Sequence, residues 1–391
     1  MELHYIAHIR ESDQQIQTVE QHLLEVKSLA EQYGSVIGVQ HITGLAGMLH
    51  DMGKFTDKFR SYILQAVQNP DAPPRKGSVD HSTAGGRLLY HLFHTKEKGL
   101  LAEIVGNAII SHHSYLHDYI SPDLELKYLY RVRDKQDIDE FDKSVQLFFE
   151  SVMNERNFYD YVDRAVEELH RFRQISSTLN SEVKMMFLSK YVFSALIDAD
   201  RTNTREFEEN RKLLPDPIEP SNLFAKYYQK LMTELERYKQ HPNAEMPIPV
   251  LRRHMSEQCD RFAEQPSGIY TLSIPTGGGK TLASLRYALK HALNTNKRRI
   301  IYILPFTTII EQNAAEVRRI LQDGEHILEH HSNVVEELED DDEYNDGIMN
   351  VQQKLKLVKD NWDVPIIFTT LVQFLEVFFA KGSKSARSYI I

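Results

Sequence analysis

One of the most apolar stretches of the chain, Gly44-Leu45-Ala46-Gly47-Met48-Leu49, runs directly into His50-Asp51 and then Met52-Gly53-Lys54-Phe55. His22 precedes this pair, while His81, the tandem His112-His113 and the acidic Asp198-Ala199-Asp200 follow it. Imidazole with carboxylate suits divalent Mn, Fe, Co, Ni or Zn better than Mg. Such ions lower the pKa of bound water, and two of them can hold the attacking and leaving oxygens of a displacement in line. The chemistry these side chains permit is hydrolysis at a two-ion centre. Single histidines carry little information, so His4, His8, His41, His91 and His94 are read as ordinary surface or core residues. A helix-end salt bridge to Arg201 or Arg205 is the structural alternative for Asp200, and Asp198 competes with it as a ligand.

A second constellation lies downstream, in Ser273-Ile274-Pro275-Thr276-Gly277-Gly278-Gly279-Lys280-Thr281. The glycines let backbone N–H groups approach phosphates, and Lys280 supplies a positive charge. Thr281 offers a hydroxyl to Mg²⁺ where a helix begins and its dipole favours anions. Ile274 stands where the strict P-loop pattern has its first glycine.

The elements that must position these residues fall into two regimes. Up to about Thr204 the periodicity is helical, with Leu23, Leu24, Val26, Leu29 and Ala30 on one face of Glu20–Tyr33. Thr43–Leu49 reads as a buried helix capped by Gly53. Asn69–Ser78, with Pro70, Pro73, Pro74 and Gly77, reads as a loop. Helices resume at Ser82–Phe93, Leu100–Ile110, within Phe141–Leu179 and at Glu182–Ile197, so this part is predicted to be all-α. The run Leu214-Pro215-Asp216-Pro217-Ile218-Glu219-Pro220 is a break, followed by a connecting helix at Leu223–Tyr238 and a second break around Pro242, Pro247 and Pro249. Beyond it the β-rich runs Tyr270–Ile274, Ile300–Leu304 and Pro365–Thr369 alternate with helices at Thr281–Leu293 and Thr308–Leu321. That alternation predicts a parallel α/β sheet. The expected division is a metal-binding domain at 1–213, a linker at 214–249 and a partial sheet domain at 250–391.

Bulk properties are those of a globular chain of 391 residues, long enough for two domains. Cys259 is the single cysteine, so no internal disulfide forms and a reducing cytoplasm is expected. The opening residues carry no secretory leader pattern, and no run approaches the ~20 apolar residues of a membrane span. The net charge of -10 neither supports nor excludes a nucleic-acid substrate, because much of it sits in the acidic run Glu336–Glu343.

The order His22, His50-Asp51, His81, His112-His113, Asp200 resembles the HD phosphohydrolase superfamily. Leu49-His50-Asp51-Met52-Gly53-Lys54, Asp80-His81-Ser82 and Ser111-His112-His113 look like its nuclease branch fused to the CRISPR-associated helicases of type I systems. The resemblance implies one ion held by His22, His50, Asp51 and Asp200. A second would be held by His81, His112 and His113, with Asp51 as the bridge. Ala199-Asp200-Arg201 is closer to the family's signature than Asp198, and Lys54 matches the lysine that stabilises charge on a phosphate.

Thr276-Gly277-Gly278-Gly279-Lys280-Thr281 resembles motif I of superfamily-two helicases. Leu304-Pro305-Phe306-Thr307-Thr308-Ile309-Ile310-Glu311-Gln312 looks like their motif Ia, His330-His331-Ser332 like the next short motif, and Ile367-Phe368-Thr369-Thr370 like their Thr-Thr element. Thr307, Thr308, Gln312, Thr369 and Thr370 are thereby candidate contacts to a single strand. Ser388-Tyr389-Ile390-Ile391 looks like the start of the strand that delivers the Asp-Glu motif; that pair is not in the chain, so neither ATPase nor helicase activity is expected of it alone.

The function implied is a metal-dependent single-stranded DNA nuclease of type I CRISPR interference, with ATP and Mg serving the full-length protein. Its implied partners are the displaced strand of an R-loop and a guide-RNA surveillance complex, with no membrane. Two other classes fit the same residues: a nucleotide phosphohydrolase and a non-catalytic nucleotide- or partner-binding module.

Overall fold

The structure is a computed structural model that describes residues 5–10, 12–69, 72–75, 77–176, 179–210, 220–331, 362 and 364–379. The described residues up to 210 form one compact unit, and those of 220–331, 362 and 364–376 form another. The break at 211–219, the acidic run, Ser332 and the last residues of the chain lie outside the described residues.

The first unit opens with a hairpin that periodicity does not reveal: β1 (Ile6–Ile9) pairs antiparallel with β2 (Ile16–Thr18), with an irregular register between Ile6 and His8. Ile6 and Ile9 pack with Phe59, Tyr62, Ile63 and Val79. Helices then follow: α1 (Val19–Ser35), α2 (Gln40–Leu49), a 3-10 turn (Met52–Lys54), α3 (Asp57–Gln68), α4 (Ala84–Phe93), α5 (Gly99–Ser111), a short α6 (Lys127–Leu129) that widens into a π turn (Tyr130–Asp134), α7 (Phe141–Ser151), α8 (Glu155–Gln174) and α9 (Ser181–Glu208). The Thr18 hydroxyl accepts the backbone N–H of Gln21 and starts α1. Its His22, Leu23, Val26 and Ala30 are buried at helical spacing.

Every residue of α2 from Ile42 to Leu49 is buried, so this helix is the axis of the unit. Its unsatisfied first N–H groups would be costly inside a core. The buried Glu168 of α8 resolves this, accepting the N–H groups of His41 and Ile42 and pairing with His41 Nδ1 at 2.6 Å.

In the second unit, β3 (Ile300–Leu304), β4 (Ile327–His330) and β5 (Ile366–Thr370) form a parallel sheet in the order β3-β5-β4. Ile366 pairs with Ile300 on one side and Ile327 on the other. Around it lie α10 (Pro220–Lys239), α11 (Pro247–Phe262), α12 (Lys280–Thr295) and α13 (Thr307–Leu321), and α14 (Leu371–Phe379) follows β5.

Three expectations change here. The helix expected as a connector, α10, contributes Leu223, Phe224, Tyr227 and Leu231 to this unit's core, because apolar side chains at that spacing form one stripe that must be covered. Tyr270–Ile274 has β-forming composition but no ladder partner among the described residues, and Tyr270 and Leu272 are exposed. β-propensity yields a strand only where a neighbour completes the hydrogen bonds. β4 covers Ile327–His330, where no strand was expected. Among the described residues no helix is long and apolar enough to cross a membrane.

Candidate metal centre

Helix ends deliver most of the candidate ligands. His50 caps α2, and Asp51 follows where the chain folds into the 3-10 turn. Gly53 does not adopt the left-handed conformation of a C-terminal cap. Its role is close approach: a Cβ there would lie 2.4 Å from the carbonyl oxygen of His81, and the Gly53 N–H donates to that oxygen at 3.2 Å. This contact docks the His81 segment against the turn. The same turn brings Lys54 Nζ back to 2.8 Å from Asp51 Oδ2. His112 caps α5 with His113 next to it, while His22 and Asp200 project from the interiors of α1 and α9.

Two groups of possible ligand atoms result, each confined within 4.8 Å: His22, His50, Asp51 and Asp200, and Asp51, His81, His112 and His113. Asp51 Oδ2 lies 3.4 Å from His22 Nε2 and 3.3 Å from His50 Nε2. Asp200 Oδ1 lies 3.5 Å from His22 Nε2 and 3.6 Å from His50 Nε2, whereas Asp198 is in neither group. The other oxygen, Asp51 Oδ1, faces His112 Nε2 at 3.3 Å and His81 Nε2 at 3.8 Å.

The hydrogen bonds behind these rings decide what they can hold. Nδ1 of His22 donates to Asn203 Oδ1, that of His50 to Gly47 O, that of His81 to Val79 O and that of His112 to Ile109 O. In a neutral ring each such bond places the proton on Nδ1 and leaves the Nε2 lone pair facing inward. His22 Nε2 is then 3.2 Å from His50 Nε2, and His81 Nε2 is 2.6 Å from His113 Nε2. Asp51 Oδ1 and His112 Nε2 are buried acceptors without a hydrogen-bond partner. Converging lone pairs repel unless a proton or cation lies among them, so the donor set fits divalent ions.

Electrostatics agree. Burial alone would raise the Asp51 carboxyl, but His50, Lys54, His112 and His22 outweigh it and hold it well below the usual carboxylate range. Asp200 is depressed in the same way, its burial outweighed chiefly by His50. Burial lowers His50, yet Asp51 and Asp200 overcome that and push it up to about 10. The two carboxylates therefore demand positive charge at this point. His22 and His113 are lowered, in both cases first by burial.

Several supporting residues were not found by sequence reasoning. Asn203 orients His22 and is itself fixed, accepting from Gln17 Nε2 at 2.9 Å and donating to Glu25 Oε2 at 2.7 Å. Asn203 follows Asp200 by three residues on α9, a spacing that puts both on one face and could have drawn attention to it. Asp80 anchors a polar cluster, receiving Arg131, Lys135 and the Thr83 hydroxyl. Burial opposes its ionisation, but Arg131, Lys135 and Thr83 hold it below the usual carboxylate range. Beside it a cavity of about 810 Å³ opens on His81 and His113 and is lined by Lys127, Tyr130, Arg131 and Lys135. His8, dismissed as an isolated histidine, is buried with its ring edge-on to His22, the centroids 4.7 Å apart.

In the second unit the glycine-rich loop turns through Gly277 and Gly279, both in the left-handed region, and Gly279 leads directly into Lys280 at the start of α12. Arg252 Nε of α11 donates to Gly277 O, and the Thr281 hydroxyl donates to Asn313 Oδ1. Thr276, Gly277 and Lys280 are exposed, Thr281 and Gly279 partly so, and Gly278 is buried. Thr308 and Gln312 are exposed on α13, and Thr307 is half-buried at its first position. Thr369 and Thr370 depart from the expectation of strand contacts. Thr369 is buried with its hydroxyl donating to His330 O in β4, and the Thr370 hydroxyl accepts the Gln373 N–H at the start of α14. β5 is the central strand of the described sheet, buried from Ile366 to Thr369, which encloses the first, and the second serves as a helix cap.

Residues 19–148 match the HD domain family, and residues 258–391 match the DEAD/DEAH box helicase family. Over 323 residues the chain is 24% identical to a CRISPR-associated nuclease/helicase Cas3 of Haloferax volcanii, a match covering 70% of this chain and 32% of that protein. The crystal structures of T. fusca Cas3-AMPPNP and T. fusca Cas3-ADP share its fold, with TM-scores of 0.57 and 0.56 at 17% identity. Each of these matches covers 100% of this chain and 46% of the other. The chain thus spans about a third of the curated relative and a little under half of the solved structures. It joins a segment that matches the HD domain family to one that matches the DEAD/DEAH box helicase family, and it is similar to Cas3 in sequence and in fold.

Proposed function

We propose that the HD unit is a divalent-metal-dependent nuclease that cuts single-stranded DNA. The observation that carries this reading is the pair of ligand groups joined through Asp51, one of which borders a cavity. His22, His50, Asp51 and Asp200 would hold one ion, and Asp51, His81, His112 and His113 the other. Bound ions of this kind activate water and stabilise charge on a phosphate during in-line displacement. Mn, Fe, Co, Ni and Zn all suit the histidine-rich donor set.

The remaining work falls to the chain's own residues. Lys54, buried and held at Asp51, keeps a fixed positive charge beside the reacting phosphate without a mobile counter-ion. Asn203, Gly47, Val79 and Ile109 fix the ring orientations, so the ligand geometry is set before substrate arrives. The cavity supports a polymeric substrate. Its volume of about 810 Å³ exceeds what a single phosphate needs, Tyr130 is 60% exposed there, and Lys127 supplies positive charge beside Arg131 and Lys135, which are paired with Asp80. A base-stacking aromatic beside backbone-binding cations is the pattern of single-strand recognition.

In the full-length protein, ATP and Mg bound at Thr276–Thr281 would drive the helicase domain to feed the strand toward this centre. The partners of that assembly would be a guide-RNA surveillance complex and the displaced strand of its R-loop, with guide pairing supplying specificity. The setting would be cytoplasmic.

The test is cleavage of single-stranded DNA by the purified protein in Mn²⁺ without ATP, beside His50→Ala and Asp51→Ala. Cleavage by the parent and its loss in both variants is the expected result. A parent that binds two ions yet leaves DNA intact while hydrolysing mononucleotides would replace the nuclease reading with that of a phosphohydrolase.

A further inference from the structure

The four buried ligand histidines at positions 22, 50, 81 and 112 each donate one ring nitrogen to a carbonyl oxygen. His8 breaks that pattern. It is 4% exposed on β1, and both Nδ1 and Nε2 are buried without a hydrogen-bond partner. Leaving a buried polar group unsatisfied costs about 1–3 kcal/mol, whereas an apolar side chain of similar shape costs nothing of the kind. Buried unsatisfied groups are rare in folded proteins, and each calls for a partner from outside the chain or for a function.

The surroundings of His8 identify that partner. Its ring meets His22 edge to face at 74°. The charges that act on it, after its own burial, are those of Lys54, His22, Asp200 and Asp51. The neighbouring backbone carbonyl of Ala7 faces Lys54 Nζ at 3.5 Å. Yet His8 lies outside both four-ligand groups. It packs instead against a ligand of the first group, on the side closed by the hairpin, where a water or a substrate oxygen would meet the His22–Asp200 group.

We propose that His8 is a catalytic residue of the His22–His50–Asp51–Asp200 site, holding by a ring hydrogen bond the oxygen that enters that site. In the resting protein this oxygen is a water; in the reaction it is the attacking water. The hairpin then has a purpose beyond packing: β1 lowers a polar side chain onto a centre otherwise built from helix ends. The inference rests on the metal-centre reading but not on DNA being the substrate.

The experiment compares His8→Phe and His8→Gln with the parent in two arms. The first uses Mn²⁺ alone and measures its dissociation constants, stoichiometry and the melting temperature. Removing a hydrogen bond from beneath a metal site weakens affinity about 10–100-fold. His8→Phe is accordingly expected to keep its melting temperature, because it relieves an unsatisfied group, and still to bind two ions, with one dissociation constant raised by at least tenfold. His8→Gln, which retains a polar tip, is expected to recover part of that affinity. The second arm measures cleavage, where His8→Phe should lower kcat with KM little changed and His8→Gln should restore part of kcat. Parental affinity for both ions in His8→Phe overturns the proposal, as does a melting temperature that falls while affinity and kcat stay parental. A parent that cleaves no DNA refutes the nuclease reading and leaves the metal arm intact as the test of His8.

Discussion

Alanine at Gly53 should separate the two ions of the centre. Gly53 sits in the 3-10 turn between Asp51 and Lys54, outside the left-handed region, so a side chain there meets no backbone strain. What it meets is His81: the added Cβ would lie 2.4 Å from its carbonyl oxygen, 2.7 Å from its Cα and 2.8 Å from its carbonyl carbon, where ordinary contact begins at 3.4 Å. All three are backbone atoms, so no side-chain rotation relieves the clash and about 1 Å of movement is forced. Metal–ligand distances tolerate only about ±0.2 Å. The His81 imidazole, and with it the Asp51–His81–His112–His113 group, should lose its geometry, while the His22–His50–Asp51–Asp200 group, which contains no atom of His81, keeps its own. Overpacking of this kind costs about 1–3 kcal/mol. For a unit of this size each kcal/mol lowers Tm by about 2–4 °C. Titration with Mn²⁺, with bound metal counted by mass spectrometry, should give two ions in the parent and one in Gly53→Ala, with cleavage lost. Two ions bound at parental affinity would refute the claim that the turn positions His81. Loss of both from a folded variant would refute the independence of the two groups.

Other substitutions and conditions probe the rest of the design. Asn203→Ala removes the acceptor behind His22 and should weaken one ion about 10–100-fold while leaving the other unchanged, as read by chelator competition. His50, pushed up to about 10, carries a proton in the ion-free site at neutral pH, and an ion must displace it. That proton stabilises the ion-free fold fully below about pH 6.5, the ordinary histidine value, and its contribution fades as pH rises toward 10. Affinity for the first ion should therefore climb about tenfold per pH unit below that value, with about one proton released, measurable by calorimetry in buffers of different ionisation heat; no release would contradict the assignment. Asp80→Asn leaves Arg131 and Lys135 without their carboxylate and should cost about 3–5 kcal/mol in urea unfolding. Glu168→Gln weakens the cap on α2 and should cost about 1.5–3 kcal/mol, with an unchanged midpoint as the contrary result.

The ligands were legible in the sequence because their chemical types are distinctive and because most stand where a helical pattern stops. Leu49 ends the periodicity of α2, and His50-Asp51 follows; Ser111 ends α5, and His112-His113 follow. The choice between Asp198 and Asp200 was harder, since both end the same pattern. Packing resolves which one faces the histidines: Asp200 stands within 3.6 Å of His22 and His50. In the second unit α12 and α13 were visible as amphipathic runs and β3 and β5 as β-rich runs, but the third strand of the sheet was not. Ile327-Leu328-Glu329-His330 is too polar at its end to announce a strand and becomes one by pairing along β5. Tyr270–Ile274 has the composition of a strand and no such partner among the described residues.

The hairpin that carries His8 shows where single-sequence reasoning stops. Four consecutive buried residues, Ile6 to Ile9, have no alternation to betray a strand, because the irregular register with β2 turns successive side chains inward. Their burial depends on Phe59, Tyr62 and Ile63, some fifty residues away, and no local window contains that information. A histidine in such a segment looks like any other until the fold brings it against His22. The same logic applies to Asn203 and Glu168, polar residues whose importance lies in satisfying groups that other elements cannot satisfy for themselves. Ligands can be nominated from residue type and order; the residues that orient them are defined by which donor or acceptor is left over after the helices have packed, and that remainder exists only in three dimensions.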